Sequence, residues 1–240
     1  LSVVEILNRR DIETQASPES PLDERTHQAL LAVGASGAET SGRFPLRQPG
    51  LSMPGQALID GWDRTNNGRG LACLEEHIVR KIRQWRPDVI VTEEASPRGE
   101  RPLPHLVNQV VLSAVSQAAD PTAYPDQIRL AGLTPWQVTR IFSTLDGDRP
   151  GTVNITSAQL AVRLGRSLAD QAGEARGLVE PQWRSGPKRT RLQLLLDQFP
   201  RDAAAQTVFG GNALQTGGGA RRLLGQTSPQ SFAMLSRSAQ

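Results

Sequence analysis

Two segments of the chain repeat apolar residues at the spacing of an α-helix. In residues 71–85 and again in residues 103–119, apolar side chains recur every three or four positions and therefore share one helical face. Between them, "RPDVIVT" at 86–92 has a proline followed by the continuous apolar run Val89, Ile90 and Val91. Such a run is typical of a strand covered on both faces, as in a parallel sheet. The central part of the chain is therefore predicted to be helix, strand, helix.

Weaker patterns extend this alternation on both sides. Residues 25–39 predict a short helix, residues 57–60 a short strand leading into a polar turn, and residues 136–144 a further strand. Residues 156–176 predict an amphipathic helix with Thr156 as its N-cap. Alternating strands and helices indicate an α/β fold, here a Rossmann-like, open, mostly parallel sheet with flanking helices.

The ends of the chain have a weaker pattern than the middle. We predict an irregular N-terminal segment at 1–24 and an α/β domain at 25–176. Residues 177–240 are predicted to be a C-terminal extension on the sheet or a linker, within which 191–199 fits either a strand or a helix. The glycine-rich segment 209–226 lacks the phosphate-loop motif and is predicted to be a flexible loop.

The composition excludes several classes of protein. The 27 basic and 24 acidic residues leave a net charge of +3, and the basic residues are scattered, so we expect no nucleic-acid partner. Cys73 is the single cysteine, which excludes an intrachain disulfide and a thiolate zinc cluster. No apolar run approaches the roughly 20 residues of a membrane-spanning helix, and no signal-peptide pattern is present. The oligomeric state and the compartment are not indicated.

His105 is the polar residue whose position is most suggestive of chemistry. Pro104 suits the first turn of a helix, so His105 lies in that turn, off the face formed by Leu103, Leu106 and Val107. It also follows the loop at the carboxyl end of a predicted strand, where ligands collect in open α/β sheets. Neutral imidazole is a common zinc ligand, and the alternative interpretation is a surface histidine.

The same stretch resembles a known family. "IRQWRPDVIVT", a polar loop and the histidine that opens "LVNQVVLSAVSQAAD" resemble the central motif of the PIG-L/LmbE-like zinc-dependent de-N-acetylases. In that family a His-Pro-Asp-His motif follows the strand, and its last histidine binds zinc. His105 occupies that position. The flanking stretches "ERTHQALLAVGASGAE", "LIDGWDRTN" and "GTVNITSAQLAVRLGRSLADQ" resemble family segments in the same order, so the resemblance covers about 25–176.

The resemblance implies an enzyme that hydrolyses the N-acetyl group of a glucosamine-type sugar or conjugate. Zinc would be the cofactor, its bound water the nucleophile, and an amino sugar or glycoconjugate the substrate. The alternative is a degenerate α/β domain that binds a carbohydrate or a protein partner without catalysis. The sequence lacks the family's Ala-His-Pro-Asp-Asp motif with its two zinc ligands and general base, so the domain is expected either to lack its start or to have diverged there.

The resemblance also assigns roles to five further side chains. Glu93 and Glu94 follow the strand and are either a ligand or base at the site or a solvated loop pair. Asp60, Asp63 and Arg64 either hydrogen-bond a sugar hydroxyl or set the polar turn. Three positions depart from the family pattern: Pro102 and Pro104 replace a histidine and an aspartate, and Asp170 or Gln171 stands at the late histidine.

Overall fold

Helices and short strands alternate along the chain. The structure is a computed structural model that describes residues 2–5, 22–41, 43–44, 54–96, 102–147, 149–179, 185–198 and 208. Its elements in chain order are β1 (Ser2–Glu5), α1 (Leu22–Ala32), β2 (Gly37–Thr40), α2 (Gly55–Thr65), α3 (Gly70–Trp85), β3 (Val89–Thr92), α4 (Pro102–Ala119), α5 (Pro125–Arg129), β4 (Arg140–Leu145), β5 (Val153–Thr156), β6 (Leu160–Ala161), β7 (Arg166–Ser167), α6 (Leu168–Gly177) and β8 (Arg189–Asp197).

The main sheet is open, mixed and four-stranded, in the order β3-β4-β8-β5. β3 and β4 are parallel, whereas β8 runs antiparallel to both β4 and β5. The predicted α/β fold with flanking helices is therefore confirmed, but the prediction of a mostly parallel sheet is wrong. The apolar pattern of a strand is the same in either direction, so the sequence did not reveal that β8, from the segment 177–240, lies antiparallel between two earlier strands.

Two short strand pairs lie outside the main sheet. β1 pairs with β2 in parallel, and β6 pairs with β7 as an antiparallel hairpin. An ion pair between Lys81 on α3 and Glu39 on β2 joins the first pair to the helical layer. The described N-terminal residues 2–5 thus form a strand within the segment predicted to be irregular.

The apolar core lies on both sides of the main sheet. One cluster joins α2, α3 and α4 to β4, and its fully buried members are Phe44, Trp62, Leu74, Val79, Ala114, Ala118 and Val138. A smaller cluster on the other face consists of Phe142, Val153 and Leu192. Each fully buried large aliphatic side chain contributes about 1.5–3 kcal/mol. The helical layer therefore supplies most of the described hydrophobic stabilisation.

The helix–strand–helix prediction at the centre is confirmed. Helices α3 and α4 match the predicted segments within a residue at each end. Helix α3 ends where Arg86 adopts a left-handed conformation (φ 48°), and Pro87 follows. β3 is the predicted strand, but coverage on both faces is wrong, because Val91 on this edge strand is 50% exposed. Within the described residues no helix is long and apolar enough to cross a membrane.

The strand predicted at 57–60 is wrong, because those residues lie in α2. Leu58 and Trp62 are buried on the same side of this helix, four residues apart, which is helical rather than alternating spacing. Gly61, which suggested a turn in the sequence, is tolerated inside the helix at a cost of about 1 kcal/mol relative to alanine.

The helix predicted at 156–176 is wrong over its first half. Thr156 ends β5, and the hairpin β6–β7 follows before α6 begins. The N-cap is Ser167, whose hydroxyl accepts a hydrogen bond from the Asp170 amide at 3.1 Å. Gly165 in the left-handed conformation (φ 65°) closes the hairpin turn, which a continuous helix would not contain.

Candidate functional site

The carboxyl ends of β3 and β4 form the sheet edge at which the candidate site lies. The two strands are parallel, and Thr92 is in register with Ser143, so the segments that follow both strands leave the sheet at the same end. Glu93 and Glu94 follow β3, and Asp146 follows β4 directly. Three carboxylates thus lie in the segments that leave this end, where ligands commonly bind in open α/β sheets.

His105 is oriented by a hydrogen bond to this end of the sheet. It lies in the first turn of α4, is partly buried, and its Nδ1 is 2.8 Å from the carbonyl oxygen of Ala95. Because a carbonyl can only accept, Nδ1 carries the proton, and in the neutral ring Nε2 keeps the lone pair. A histidine that binds a metal is usually held in this way, with its other nitrogen donating to a carbonyl or carboxylate.

The carboxyl group of Glu93, at this end of the sheet, has a raised pKa. Its side chain is exposed at the surface, yet partial burial against the surrounding protein raises the pKa of its carboxyl, and the nearby charge of Asp146 raises it further. The backbone carbonyl of Glu93 accepts a 2.9 Å hydrogen bond from the side-chain amide of the fully buried Asn108 on α4. The loop after β3 is therefore anchored to α4, and the Glu93 carboxyl holds a proton more readily than an ordinary glutamate.

Glu94 is buried and bound by the protein itself. The residue is 5% exposed, and one carboxylate oxygen forms an ion pair with Arg149. The other oxygen accepts a 3.2 Å hydrogen bond from the backbone amide of Asp146. The interpretation of Glu93 and Glu94 as a solvated loop pair is therefore wrong for Glu94. Its carboxylate joins the end of β3 to the loop between β4 and β5, a pairing that a buried charge requires.

Asp60, Asp63 and Arg64 lie on α2 rather than in a turn after a strand. The Asp63 carboxylate accepts a 2.6 Å hydrogen bond from the backbone amide of Gly70, the first residue of α3. Asp60 accepts the side-chain amide of Gln56 one helical turn earlier at 2.8 Å, and Arg64 is exposed. Of the two interpretations of Asp63, the structural one therefore has a direct contact: its charge satisfies an unpaired amide at a helix start.

The described residues do not bring together the donors of a complete zinc site. Across those residues, no group of three or more histidine, cysteine, aspartate or glutamate side chains is placed to hold a metal ion. A catalytic zinc takes three protein ligands and one open position. His105, with its Nε2 lone pair, fits one of these positions.

Three residues of this region were not singled out from the sequence: Asp146, Arg149 and Asn108. Asp146 directly follows the buried strand β4, and its place could have been noticed in the sequence, since ligands in open α/β sheets bind at the carboxyl ends of strands. Arg149 lies 55 residues after Glu94, and no local pattern connects the two. Asn108 occupies a helix face that is otherwise apolar, where a buried amide needs a partner.

Comparison with known proteins assigns neither a family nor a function to the chain. No protein-family model matches the chain, and no curated protein matches it significantly. Among solved structures, the chain is similar to the crystal structure of the conserved protein TT1542 from Thermus thermophilus. The match has a TM-score of 0.45 and 14% identity, and covers 78% of this chain and 82% of that one.

Proposed function

We propose that the chain belongs to a zinc-dependent, de-N-acetylase-like hydrolase that acts on an N-acetylglucosamine-type sugar or conjugate, with His105 as a zinc ligand. The substrate class and the zinc come from the sequence resemblance at 86–119. The observation that supports His105 most directly is the 2.8 Å hydrogen bond between its Nδ1 and the Ala95 carbonyl, which leaves Nε2 as the metal-binding nitrogen.

The remaining zinc ligands in this proposal are carboxylates. The chain has three histidines and one cysteine, and His27, His77 and Cys73 lie on α1 and α3 rather than at the carboxyl ends of β3 and β4. Since the Glu94 carboxylate is held by Arg149, the carboxylates that complete the zinc site in this proposal are ones other than Glu94. Zinc accepts aspartate and glutamate oxygens beside histidine.

The Glu93 carboxyl is the group we propose for proton transfer. Its raised pKa lets it hold a proton nearer to neutral pH, as a general acid or base requires. Asn108 fixes the backbone of Glu93 from the core, which limits the positions its side chain can take. Asp60 and Arg64 stay proposed contacts for sugar hydroxyls because both are exposed on α2.

Zinc content after metal exposure and gel filtration tests the proposal on the whole 240-residue chain. We expect about one zinc per chain for the wild type, and below about 0.1 for His105→Ala. His27→Ala is the matched control, because His27 is an exposed histidine on α1 and should retain the metal. Zinc below about 0.1 per chain in the wild type, or zinc unchanged by His105→Ala, would overturn the assignment.

The histidine tautomer provides a second test that does not depend on zinc. Long-range ¹H–¹⁵N NMR distinguishes a ring protonated at Nδ1 from one protonated at Nε2. We expect the neutral His105 ring to carry its proton at Nδ1. A proton at Nε2 would remove the structural basis for the ligand role, whatever the zinc content.

A second candidate function is a non-catalytic α/β domain that binds a carbohydrate or a protein partner. The observation favouring it is that the described residues place no three metal-binding side chains together. In that case zinc stays at background level, and N-acetylglucosamine still shifts the NMR signals of residues around His105. Zinc binding lost only in His105→Ala would favour the hydrolase instead.

A further inference from the structure

Several large apolar side chains are exposed in and beside the hairpin β6–β7. Val162 is 87% exposed, Leu160 is 66% exposed and Leu164 is 48% exposed. Ile155 before the hairpin and Leu168 after it are also exposed. Single exposed apolar residues are ordinary, but five within 14 consecutive positions mark an interaction surface. We call residues 160–168 the apolar hairpin.

The apolar hairpin is fixed at its base by backbone hydrogen bonds. The Ser157 amide donates to the Lys188 carbonyl at 3.0 Å, and the Ser157 carbonyl accepts the Ala169 amide at 2.9 Å. The tip is closed by the Gly165 amide, which donates to the Ala161 carbonyl at 3.0 Å. The exposed side chains thus lie on an ordered support, so their exposure is a stable property of the surface.

Basic residues outnumber acidic ones in and beside the apolar hairpin. Arg163 is exposed in the turn of the hairpin, and Lys188 and Arg189 are exposed at its base, where Arg189 pairs with Thr156 across the strands. Arg166 forms an ion pair with Glu174, and Asp170 caps α6 with Ser167. The cations Arg163, Arg166, Lys188 and Arg189 outnumber the two carboxylates, Asp170 and Glu174, by two.

We propose that the apolar hairpin docks on an anionic lipid surface. Apolar side chains that enter the headgroup boundary, with cations beside them that meet acidic lipids, are the usual recognition pattern for such surfaces. A symmetric contact between two copies would bring the Arg163 side chains of both copies towards one interface, and like charges oppose such pairing. Charge complementarity therefore favours a lipid surface over a second copy.

The docked orientation brings the candidate site near the lipid. β4 and β5 both run antiparallel to β8, so their carboxyl ends lie at the same end of the sheet. The apolar hairpin follows β5 at that end, and Asp146 follows β4 there. Docking through the hairpin thus holds this end of the sheet towards the headgroups. The proposal stands on the hairpin alone and does not depend on zinc binding by His105.

Co-sedimentation with vesicles tests the proposal on the whole chain. The probes are vesicles of phosphatidylcholine alone and vesicles with about one third phosphatidylglycerol. We expect binding to the anionic vesicles that weakens as salt rises to about 0.5 M, because salt screens the cations. The double variant Leu160→Ser, Val162→Ser should bind at least about tenfold more weakly, and Arg163→Gln about fivefold more weakly.

Two controls separate the hairpin from other causes. Leu130→Ser changes a side chain that is 75% exposed at the end of α5, and it should bind like the wild type. His105→Ala should also bind like the wild type, even if the zinc proposal fails. No wild-type binding to the anionic vesicles, or equal binding by the hairpin double variant, would overturn the proposal. A wild-type dimer that the double variant dissociates would show that a second copy covers the hairpin, and would also overturn it.

Discussion

Helix α3 and the apolar hairpin contain the same kinds of aliphatic side chain, yet they bury them to opposite extents. Leu74 and Val79 on α3 are fully buried, whereas Leu160 and Val162 in the hairpin are 66% and 87% exposed. Helix α3 is 16 residues long and presents a continuous face to α4, whereas the hairpin strands have two residues each. The comparison shows that a long periodic face finds a partner within the fold, and a short hairpin does not.

The arginines of the two regions differ in the same way. Arg83 on α3 is 1% exposed. Its guanidinium donates hydrogen bonds to the side-chain amide oxygen of Gln127 and to five backbone carbonyls at the end of α4 and in the loop after it. These carbonyls belong to Gln117, Ala118, Asp120, Ala123 and Tyr124. Arg163 in the hairpin is exposed. A buried guanidinium needs such acceptors, and these carbonyls in turn need a donor because they end a helix.

The largest effect expected from the comparison is at Arg83. Arg83→Met keeps the length of the side chain but leaves the buried carbonyls at the end of α4 without a donor. We expect the free energy of unfolding in urea to fall by about 3 kcal/mol or more. Arg80→Met is the matched control on an exposed position of the same helix, with an expected change below about 0.5 kcal/mol. Equal losses in both variants would contradict the role of Arg83 in holding the end of α4.

A pair of leucine truncations compares the two regions directly. Leu74→Ala creates a cavity between α3 and its neighbours, and we expect a loss of about 2–4 kcal/mol in the free energy of unfolding. Leu160→Ala removes the same atoms from an exposed side chain, and we expect a change within about 0.5 kcal/mol. Urea denaturation of both variants measures the difference. If Leu160→Ala destabilised the chain as much as Leu74→Ala, the hairpin would be part of the core.

Two glycines in the helical layer give the smallest expected effect, with opposite signs. A Cβ at Gly70 would lie 2.7 Å from the Cβ of Trp62 and 2.9 Å from the Asp63 carboxylate, so Gly70→Ala should destabilise the chain by about 1–3 kcal/mol. A Cβ at Gly61 meets nothing within 4 Å, so Gly61→Ala should stabilise α2 by about 0.5–1 kcal/mol. Thermal unfolding of the two variants measures the signs. A neutral or stabilising Gly70→Ala would contradict the close contact between α2 and the start of α3, and a destabilising Gly61→Ala would contradict the open space at Gly61.

Local sequence patterns were sufficient to predict the secondary structure of segments whose structure depends mainly on their own residues. The helices α3 and α4 and the strand β3 followed from apolar spacing within each segment. Helix α2 was mistaken for a strand because the short apolar pair before Asp60-Gly61 suggested a turn. Its residues Leu58 and Trp62 are both buried, and Trp62 packs in the core cluster with residues of α3 and α4, so tertiary packing outweighs the local turn preference.

The candidate site was predicted in part for the same reason. The place of His105 in the first turn of α4 followed from Pro104 and the apolar period, but its contact with Ala95 did not, because no local sequence pattern connects the two residues. Asp63 was assigned to a turn or a sugar contact, whereas its carboxylate binds the Gly70 amide at the start of the next helix. Zinc, the sugar substrate and the site roles stay proposals for all six residues, namely His105, Glu93, Glu94, Asp60, Asp63 and Arg64.

The sequence by itself determined that the chain has an α/β fold, with two long helices flanking an apolar strand, because helical and strand periods are properties of neighbouring residues. Only the tertiary structure decided that β8 lies antiparallel between β4 and β5, since strand direction leaves no mark on the apolar pattern. Only the tertiary structure paired Glu94 with Arg149, 55 residues later, because burial of a charge is satisfied by whatever partner the fold brings near. It also left the hairpin side chains uncovered, because exposure depends on the packing of other elements and not on the residue type.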